Sequence, residues 1–354
     1  MSFQALSLIR KEVKAGSVTE KCYSNLSLFK YSNKCVYDNL WNSINKRCRG
    51  IIFNTRTGAV VARGFDKFFN LGEKSETEEK LILKKTGHVP FRVTEKMDGS
   101  LCLTFKSDGM WLTSTPGSME SEQAIYARNV LLEKYDLSRI PDDVTLVCEF
   151  ISPTDRKDKV VDYGNMDELI LLTAFENKWD QTEVPCNRVA LFAKNAGMKL
   201  VPVWSVGPET ITKIDIPNNT EGYVIAFQDG LRVKVKSLAY VKAHRLIADF
   251  SGKHIIDYIK DGSYRGAVQQ LPEPKRVYFD DFYAQVLSLK GTIELEAEEW
   301  AKQCDPNDMK ATSETLKNAP RNIRPLVFGI VRHKPMEDYL WKLVVERFKE
   351  TLER

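Results

Sequence analysis

Two lysine-containing segments of the chain carry residue types that phosphate chemistry uses. Lys96 lies two residues before the pair Asp98-Gly99, in the segment Glu95-Lys96-Met97-Asp98-Gly99-Ser100. Lys234 and Lys236 are separated by one residue, so on a β-strand both side chains would point to the same face. A lysine attacks phosphorus only when its amine is neutral, and neighbouring cations lower a lysine's pKa toward that state.

Both segments also have ordinary structural explanations. An Asp-Gly pair supplies the backbone angles of a tight hairpin turn, which would account for Asp98-Gly99 without any chemistry. Alternating lysines such as Lys234 and Lys236 commonly lie on a strand face in contact with solvent. Residues 231–245 contain five basic and no acidic residues, which favours a cationic pocket wall at this strand.

The elements that would position these segments differ along the chain. From about residue 50 to residue 236, short β-rich runs bounded by turn residues predict strands, interrupted by a helix over 118–134 with Ser118 as its N-cap. After Lys236, apolar residues recur at helical spacing, as in Tyr339-Leu340-Leu343-Val344-Phe348. The predicted class is therefore α+β, with a mixed domain over residues 1–244 followed by an all-helical domain over residues 245–354.

The charge distribution favours anionic ligands. The 354-residue chain has a net charge of +4, but residues 1–72 carry 12 Lys and Arg against 4 Asp and Glu. Residues 245–354 are neutral, with 18 of each sign. A basic N-terminal part is typical of proteins that bind nucleotides or nucleic acid.

Several classes of protein are disfavoured. No apolar run reaches the ~18 residues of a membrane span, and the N-terminus lacks the pattern of a signal peptide. The seven cysteines form no CxxC pair, and the four histidines form no metal-binding spacing. We therefore expect a cytoplasmic protein with no membrane partner, no disulfide framework and no zinc site.

Further segments accompany Lys96 in a fixed order between residues 29 and 244. They are Cys48-Arg49-Gly50-Ile51, Lys67-Phe68-Phe69-Asn70-Leu71, Gly117-Ser118 with Ser121-Glu122-Gln123-Ala124, Glu149-Phe150-Ile151-Ser152-Pro153-Thr154, Glu221-Gly222-Tyr223-Val224 and Lys234-Val235-Lys236-Ser237. This ordered set resembles the covalent nucleotidyltransferases, the superfamily of ATP-dependent ligases and capping enzymes. The closer resemblance is to the bacteriophage T4 RNA ligase 1 family.

The resemblance implies a fold, a reaction and two cofactors. The fold is an N-terminal nucleotidyltransferase (ATP-grasp-like ligase) domain of antiparallel sheets with flanking helices. The activity is that of an ATP-dependent RNA ligase, in which Lys96 becomes lysyl-AMP, AMP passes to an RNA 5′-phosphate, and a 3′-OH displaces it. ATP is the AMP donor, and Mg²⁺ (or Mn²⁺) is the expected ion, held mainly by phosphate oxygens.

The resemblance also implies roles for individual residues. The catalytic residues would be Lys96, Lys234 and Lys236; the nucleotide-binding residues would be Tyr31, Arg49, Lys67, Lys96, Glu149, Lys234 and Lys236; the metal ligands would be Glu149 and Glu221. Tyr240 matches a family tyrosine, with core packing as an equal alternative. Where the family carries a basic residue before Gly-Ser, this chain has Pro116, so that phosphate contact is absent or comes from elsewhere.

The expected partner is RNA with 5′-phosphate and 3′-OH ends, with cleaved tRNA as one candidate, acted on by a monomer in the cytoplasm (the host's, for a phage protein). About 110 helical residues follow Lys236 where DNA ligases and capping enzymes carry a β-barrel, which disfavours those relatives. The sequence leaves open a ligase of nicked duplexes, another covalent nucleotidyltransferase, and a non-catalytic RNA-binding protein that retains the fold.

Overall fold

The computed structural model describes residues 2–154, 159–180, 182–250, 253–271 and 273–352. The chain divides into two compact units, Met1–Val241 and Lys242–Arg354. The division falls inside helix α6 (Leu238–Asp249). Each unit has its own buried apolar side chains.

The first unit is built on three sheets, and their strands are β1 Val18–Tyr23, β2 Leu26–Tyr31, β3 Arg49–Asn54, β4 Val60–Ala62, β5 Phe69–Asn70, β6 Phe91–Lys96, β7 Ser100–Ser107, β8 Met110–Ser114, β9 Val144–Ile151, β10 Glu168–Glu176, β11 Val203–Trp204, β12 Gly222–Phe227 and β13 Arg232–Lys236. Sheet 1 has the order β1-β2-β3-β4, sheet 2 has β10-β9-β7-β8, and sheet 3 has β11-β6-β12-β13-β5. Neighbouring strands are antiparallel except β13 and β5, which are parallel.

The helices of the first unit before α6 are α1 Ser2–Lys14, α2 Asn33–Tyr37, α3 Glu79–Thr86, α4 Glu122–Lys134 and α5 Cys186–Ala196. The prediction of α4 was correct at its end but wrong at its start. Ser121 is the N-cap, and its hydroxyl accepts a hydrogen bond from the Ala124 N–H. Ser118 instead closes a tight turn with Thr115, whose N–H donates to the Ser118 carbonyl at 2.9 Å.

Sheet 3 has one apolar face and one polar face, because successive strand residues point to opposite sides. The apolar face contributes Val93, Tyr223, Ile225 and Val233 to a buried cluster. The opposite face carries the basic side chains described below. The Asp98-Gly99 turn does not join a hairpin, since it connects β6 of sheet 3 to β7 of sheet 2.

The described part of the second unit is helical, and its helices are α7 Lys253–Lys260, α8 Tyr264–Val268, α9 Glu273–Ala301, α10 Met309–Thr315, α11 Arg324–Val331 and α12 Glu337–Leu352. Both α11 and α12 pack against α9, which buries Val286, Val327 and Val344 completely. The predicted α+β class, with antiparallel sheets followed by a helical part, is confirmed. Among the described residues, every helix is too short or too polar to cross a membrane.

Candidate active site

Three rows of side chains cross the polar face of sheet 3. The rows, taken from β6, β12 and β13 in turn, are Lys96–Gly222–Lys236, Thr94–Val224–Lys234 and Arg92–Ala226–Arg232. Directly opposed residues of an antiparallel pair point to the same face, so this register gathers five basic side chains on one surface. A cavity of about 290 Å³ lies on this face and is lined by all five of them.

The first row is organised around Glu221 and Gly222. The Glu221 carboxylate is 2% exposed, and its Oε2 lies 2.6 Å from Lys96 Nζ while its Oε1 lies 2.9 Å from Lys236 Nζ. Gly222 has φ +151°, and a Cβ there would lie 2.0 Å from the Val235 carbonyl oxygen. Glycine is therefore required between the two lysines, and Glu221 has both oxygens engaged by ammonium groups.

Buried hydrogen bonds fix the turn that follows Lys96. Asp98 Oδ2 accepts hydrogen bonds from the N–H groups of Val160 at 2.7 Å and Val161 at 3.0 Å. The Tyr240 hydroxyl donates to Asp98 Oδ1 at 3.0 Å. Burial and the nearby Glu221 and Asp98 carboxylates raise the pKa of Tyr240 above its usual value, so the hydroxyl keeps its proton. Asp98 is thus a positioning residue for the segment that carries Lys96, a role beyond the turn that an Asp-Gly pair predicts.

Glu149 reaches the same cavity from β9 of sheet 2. Its Oε1 accepts a hydrogen bond from the Gly99 N–H at 3.1 Å, which ties the two sheets together beside Lys96. Burial raises the pKa of Glu149 to about 7, against the opposing influence of Lys96 and Lys159. This carboxyl group therefore changes its charge near neutral pH.

Lys234 is partly buried among other basic side chains. Burial, together with the positive charges of Lys67, Arg49 and Lys96, lowers the pKa of Lys234 to about 7. Arg49, from β3 of sheet 1, and Lys234 both lie 5.4 Å from the centre of the Phe68 ring. An anion bound here would relieve the repulsion among these cations, which is the electrostatic property of a phosphate site.

The remaining candidates lie beside the cavity. Lys67 does not line it but lines a neighbouring cavity that shares Phe68 and Arg232 with it. Tyr31 lines neither of these two cavities, and its ring contacts the indole of Trp41 instead. The structure thus brings together Lys96, Arg49, Glu149, Glu221, Lys234 and Lys236, with Lys67 adjacent and Tyr31 further out.

Two basic residues of the cavity were not singled out from the sequence. Arg92 and Arg232 form the third row, and Arg232 is paired with Glu183. Each lies at a spacing of two or four residues from a lysine of the site, so the strand period offered a signal for both. Their position in the cavity depends on the register of β6 and β13 across β12, which the sequence pattern does not give.

Pro116 stands where the resemblance implies a basic residue. A Cβ on Gly50 would lie 2.8 Å from Pro116 Cα, so Pro116 packs directly against the strand that carries Arg49. Lys30 is opposite Arg49 in sheet 1, and its Nζ lies 3.5 Å from the position of a Cβ on Gly117. A cation from β2 therefore stands next to the Gly117-Ser118 segment.

Glu149 and Glu221 do not form a complete set of ligands for a metal ion. No group of three or more metal-ligating side chains occurs among the described residues. Because both oxygens of Glu221 contact lysines, Glu149 is the better candidate for a contact to a divalent ion. A Mg²⁺ or Mn²⁺ ion fits this donor set only when phosphate oxygens supply most of its ligands.

A cationic sheet face around a lysine that is fixed by a buried turn has the charges needed to bind the phosphates of a nucleotide. The chain belongs to the RNA ligase family, whose model matches residues 47–240, more than half of the chain. That match contains every residue assigned a site role from the sequence except Tyr31.

Three relatives illustrate this family. The chain is 33% identical over 221 residues to a protein of Thermovibrio ammonificans named "Putative RNA ligase", which covers 57% of this chain and 53% of that protein. It is 34% identical over 111 residues to the "Putative bifunctional polynucleotide kinase/RNA ligase" of Autographa californica nuclear polyhedrosis virus, covering 28% and 16%. An RNA ligase of Rhodothermus phage RM378 is 26% identical over 152 residues, covering 38% and 34%. The chain thus spans about half or less of these relatives' lengths.

Solved structures of ligases are also similar. An archaeal ATP-dependent RNA ligase matches with 16% identity and a TM-score of 0.49, covering 80% of this chain and 79% of that chain. A mutant of the Naegleria gruberi RNA ligase, with AMP and Mn, matches with 18% identity and a TM-score of 0.39, covering 53% and 61%.

Proposed function

We propose that this protein is an ATP-dependent RNA ligase that joins RNA 5′-phosphate and 3′-OH ends through lysyl-AMP and RNA-adenylate intermediates. The observation that carries the proposal is the position of Lys96 at the end of a strand, in one row with Lys236 and beside Lys234 and Arg49. An amine next to a set of cations supports this proposal, because the cations suit a bound triphosphate that the amine could attack.

In the first step, the Lys96 amine attacks the α-phosphorus of ATP, a phosphorus–nitrogen bond forms, and pyrophosphate leaves. Glu221 Oε2, 2.6 Å from Lys96 Nζ, is within reach to accept the proton that the ammonium must lose. Lys234, Lys236 and Arg49 neutralise the charge that develops on the phosphate oxygens. Lys67 extends this set of cations away from Lys96.

In the second step, an oxygen of the RNA 5′-phosphate attacks the phosphorus of the bound AMP, and the bond to Lys96 breaks, with the amine regaining a proton. In the third step, the 3′-OH of a second RNA end attacks the 5′-phosphate phosphorus, and AMP leaves as the phosphodiester forms. A divalent cation, when bound, supplies further neutralisation of phosphate charge. Glu149, which holds the Gly99 N–H, is the residue we assign to contact the ribose or that cation.

We also propose a division of labour along the chain. Residues 1–244 carry the nucleotidyl-transfer residues, and residues 245–354 carry none of them. A helical module without reacting groups would influence which RNA is joined, with a cleaved tRNA in RNA repair as the candidate substrate. The support is the presence of a buried apolar core within the described helices of that part.

The test is a two-stage labelling experiment. The full chain is incubated with α-labelled ATP and Mg²⁺, and label on the denatured protein is measured. A panel of 5′-phosphorylated single-stranded, nicked-duplex and stem-loop RNAs is then added, and transfer to RNA and joining are followed. Label that enters the protein and then the RNA supports the proposal, whereas a protein that never acquires label contradicts it.

A further inference from the structure

Three aromatic rings surround the Lys67 ammonium, and we refer to Tyr31, Trp41, Phe69 and Lys67 as the aromatic–lysine cluster. Lys67 Nζ lies 5.7, 5.3 and 5.2 Å from the ring centres of Tyr31, Trp41 and Phe69. Trp41 packs edge-on against both of the other rings, at centre distances of 5.0 and 5.6 Å. The Phe69 ring is buried, whereas Tyr31 and Trp41 are partly exposed.

More positive charge lies around the cluster. The ammonium groups of Lys46 and Lys74 lie 5.3 and 5.1 Å from the centre of the Phe69 ring. Two acidic side chains are also close. Glu76 pairs with Lys46 at 3.3 Å, and the negative charge of Glu73 opposes the lowering of the Lys67 pKa by burial. Aromatic rings interleaved with lysines are the pattern with which proteins hold single-stranded nucleic acid, the rings stacking on bases and the cations contacting phosphates.

The loop that carries Trp41 is held in place by its own side chains. Asn45 is fully buried, and its amide nitrogen donates to the Leu40 carbonyl at 2.6 Å. Its Oδ1 accepts from the Asn42 N–H at 2.8 Å. The indole is therefore presented by an ordered loop, which reduces the entropy that a bound base would cost.

The cluster adjoins the strand that carries Lys234. Phe69 on β5 pairs in parallel register with Val233 on β13, directly before Lys234. After burial, the charge of Lys67 is the largest influence that lowers the pKa of Lys234. The cations therefore continue from Lys96 through Lys234 to Lys67 and the three rings.

The geometry of phosphoryl transfer puts the RNA terminus on the side of the AMP phosphorus that is opposite Lys96. In each displacement at the AMP phosphorus, the attacking and leaving groups lie roughly in line. Pyrophosphate therefore leaves opposite the Lys96 nitrogen in the first step, and the RNA 5′-phosphate must attack from that same side in the second. The cations that hold pyrophosphate then hold the RNA terminus, and the first nucleoside continues beyond them.

We propose that the aromatic–lysine cluster binds the 5′-terminal nucleotide of the RNA strand that receives AMP, with Lys67 at its phosphate and Trp41 stacked on its base. This inference rests on the proposed ligase function. It assigns to Trp41 a role in the second step only, and it gives Tyr31 a place beside the RNA terminus.

The experiment measures single-turnover transfer of AMP from the preformed enzyme-AMP to a 5′-phosphorylated single-stranded RNA. Two RNAs are compared, one intact and one abasic at its first nucleotide. The proteins are wild type, Trp41→Ala, Trp41→Phe and Tyr37→Ala, where Tyr37 is a nearby aromatic residue that is 84% exposed. Formation of enzyme-AMP from ATP is measured for each protein as a separate control.

Loss of one base stack corresponds to roughly a ten-fold loss in transfer, given about 1–3 kcal/mol per stacked base. With wild type and with Tyr37→Ala, we expect the abasic RNA to accept AMP roughly ten-fold more slowly than the intact RNA. We expect Trp41→Ala to react slowly with both RNAs, Trp41→Phe to restore most of the preference for the intact RNA, and all four proteins to form enzyme-AMP normally.

The outcomes separate this inference from the proposed function. A wild-type protein that transfers AMP equally well to both RNAs overturns the inference, even if Trp41→Ala fails to fold. An abasic penalty that persists undiminished in Trp41→Ala also overturns it, because the base would then stack elsewhere. If wild type forms no enzyme-AMP at all, it is the ligase proposal that fails.

Discussion

Lys96 and Lys236 lie on opposite sides of Gly222, and the carboxylate of the preceding Glu221 pairs with both ammonium groups. Two lysines separated by 140 positions in sequence thereby share one buried counter-charge. The pairing fixes the direction of both side chains, and it places a proton acceptor against the amine that we propose as the nucleophile.

Replacement of Lys96 by Ala should abolish transfer of label from α-labelled ATP to the protein, because no other amine of the site replaces it at the end of β6. The variant should still join an RNA that already carries 5′-linked AMP, since that step needs no lysine nucleophile. The matched control is Lys106→Ala on β7, which removes a lysine that pairs with Asp142 in the turn before β9. Labelling of Lys96→Ala at the wild-type level would show that another residue is adenylylated.

Replacement of Lys234 or Lys236 by Ala should slow adenylylation by about 10²–10³, or ~3–4 kcal/mol, as the loss of a preorganised charge contact does. Thermal stability should change little in Lys234→Ala, whereas Lys236→Ala should also lower it, because the buried Glu221 carboxylate loses one of its two partners. For Lys234 the small change follows because burial and three neighbouring cations already disfavour its charged form. The rate of enzyme-AMP formation and the unfolding temperature are measured side by side. Unchanged rates in both variants would mean that the two lysines lie on a solvent-exposed strand face and do not contact the triphosphate.

Gly222→Ala should damage folding or activity severely, because the new methyl group would collide with the Val235 carbonyl and separate β12 from β13. Gly230→Ala is the control at the other end of the same two strands. It also has a positive φ, of +95°, but no atom lies within 4 Å of the added Cβ. Unfolding temperature and enzyme-AMP yield are measured for both variants, and equal effects would contradict the steric argument.

Glu149→Gln should change how stability depends on pH. The folded-state pKa of Glu149 is raised from 4.5 to about 7, so the folded protein binds this proton more tightly than the unfolded chain does. The resulting stabilisation is complete below pH ~4.5 and is lost as the pH rises through about 7. A neutral Gln does not titrate, so its contribution does not change with pH. Between pH 5 and pH 8, the free energy of unfolding of the variant should therefore rise by up to about 3 kcal/mol relative to that of wild type. Denaturant unfolding across this range measures the difference, and parallel curves would argue against the raised pKa.

A protein that ends near residue 250 should still form enzyme-AMP and join short single-stranded RNA, but should lose any preference for a cleaved tRNA stem-loop. The cut retains helix α6 and the hydrogen bond from Tyr240 to Asp98. Joining rates on both RNAs are compared for the full and shortened proteins, after circular dichroism has shown that the latter is folded. A folded but unlabelled short protein would mean that adenylylation depends on the helical part.

The sequence by itself determined the chemical inventory of the site and the class of the fold. Ordered segments around Lys96, Glu149, Glu221 and Lys234-Val235-Lys236 indicated the family, and strand and helix periods separated the two parts of the chain. These features are local, since they depend on residue type and on spacing within one element.

The tertiary structure decided which of those residues meet and what each contacts. Strand register across β12 put Arg92 and Arg232 in line with the lysines, and packing of two sheets turned Asp98-Gly99 into a buried junction instead of a hairpin. It also set both oxygens of Glu221 against lysines and placed Trp41 beside Lys67. These pairings join residues far apart in sequence, and the energies that select them are burial and electrostatics, which no local pattern encodes.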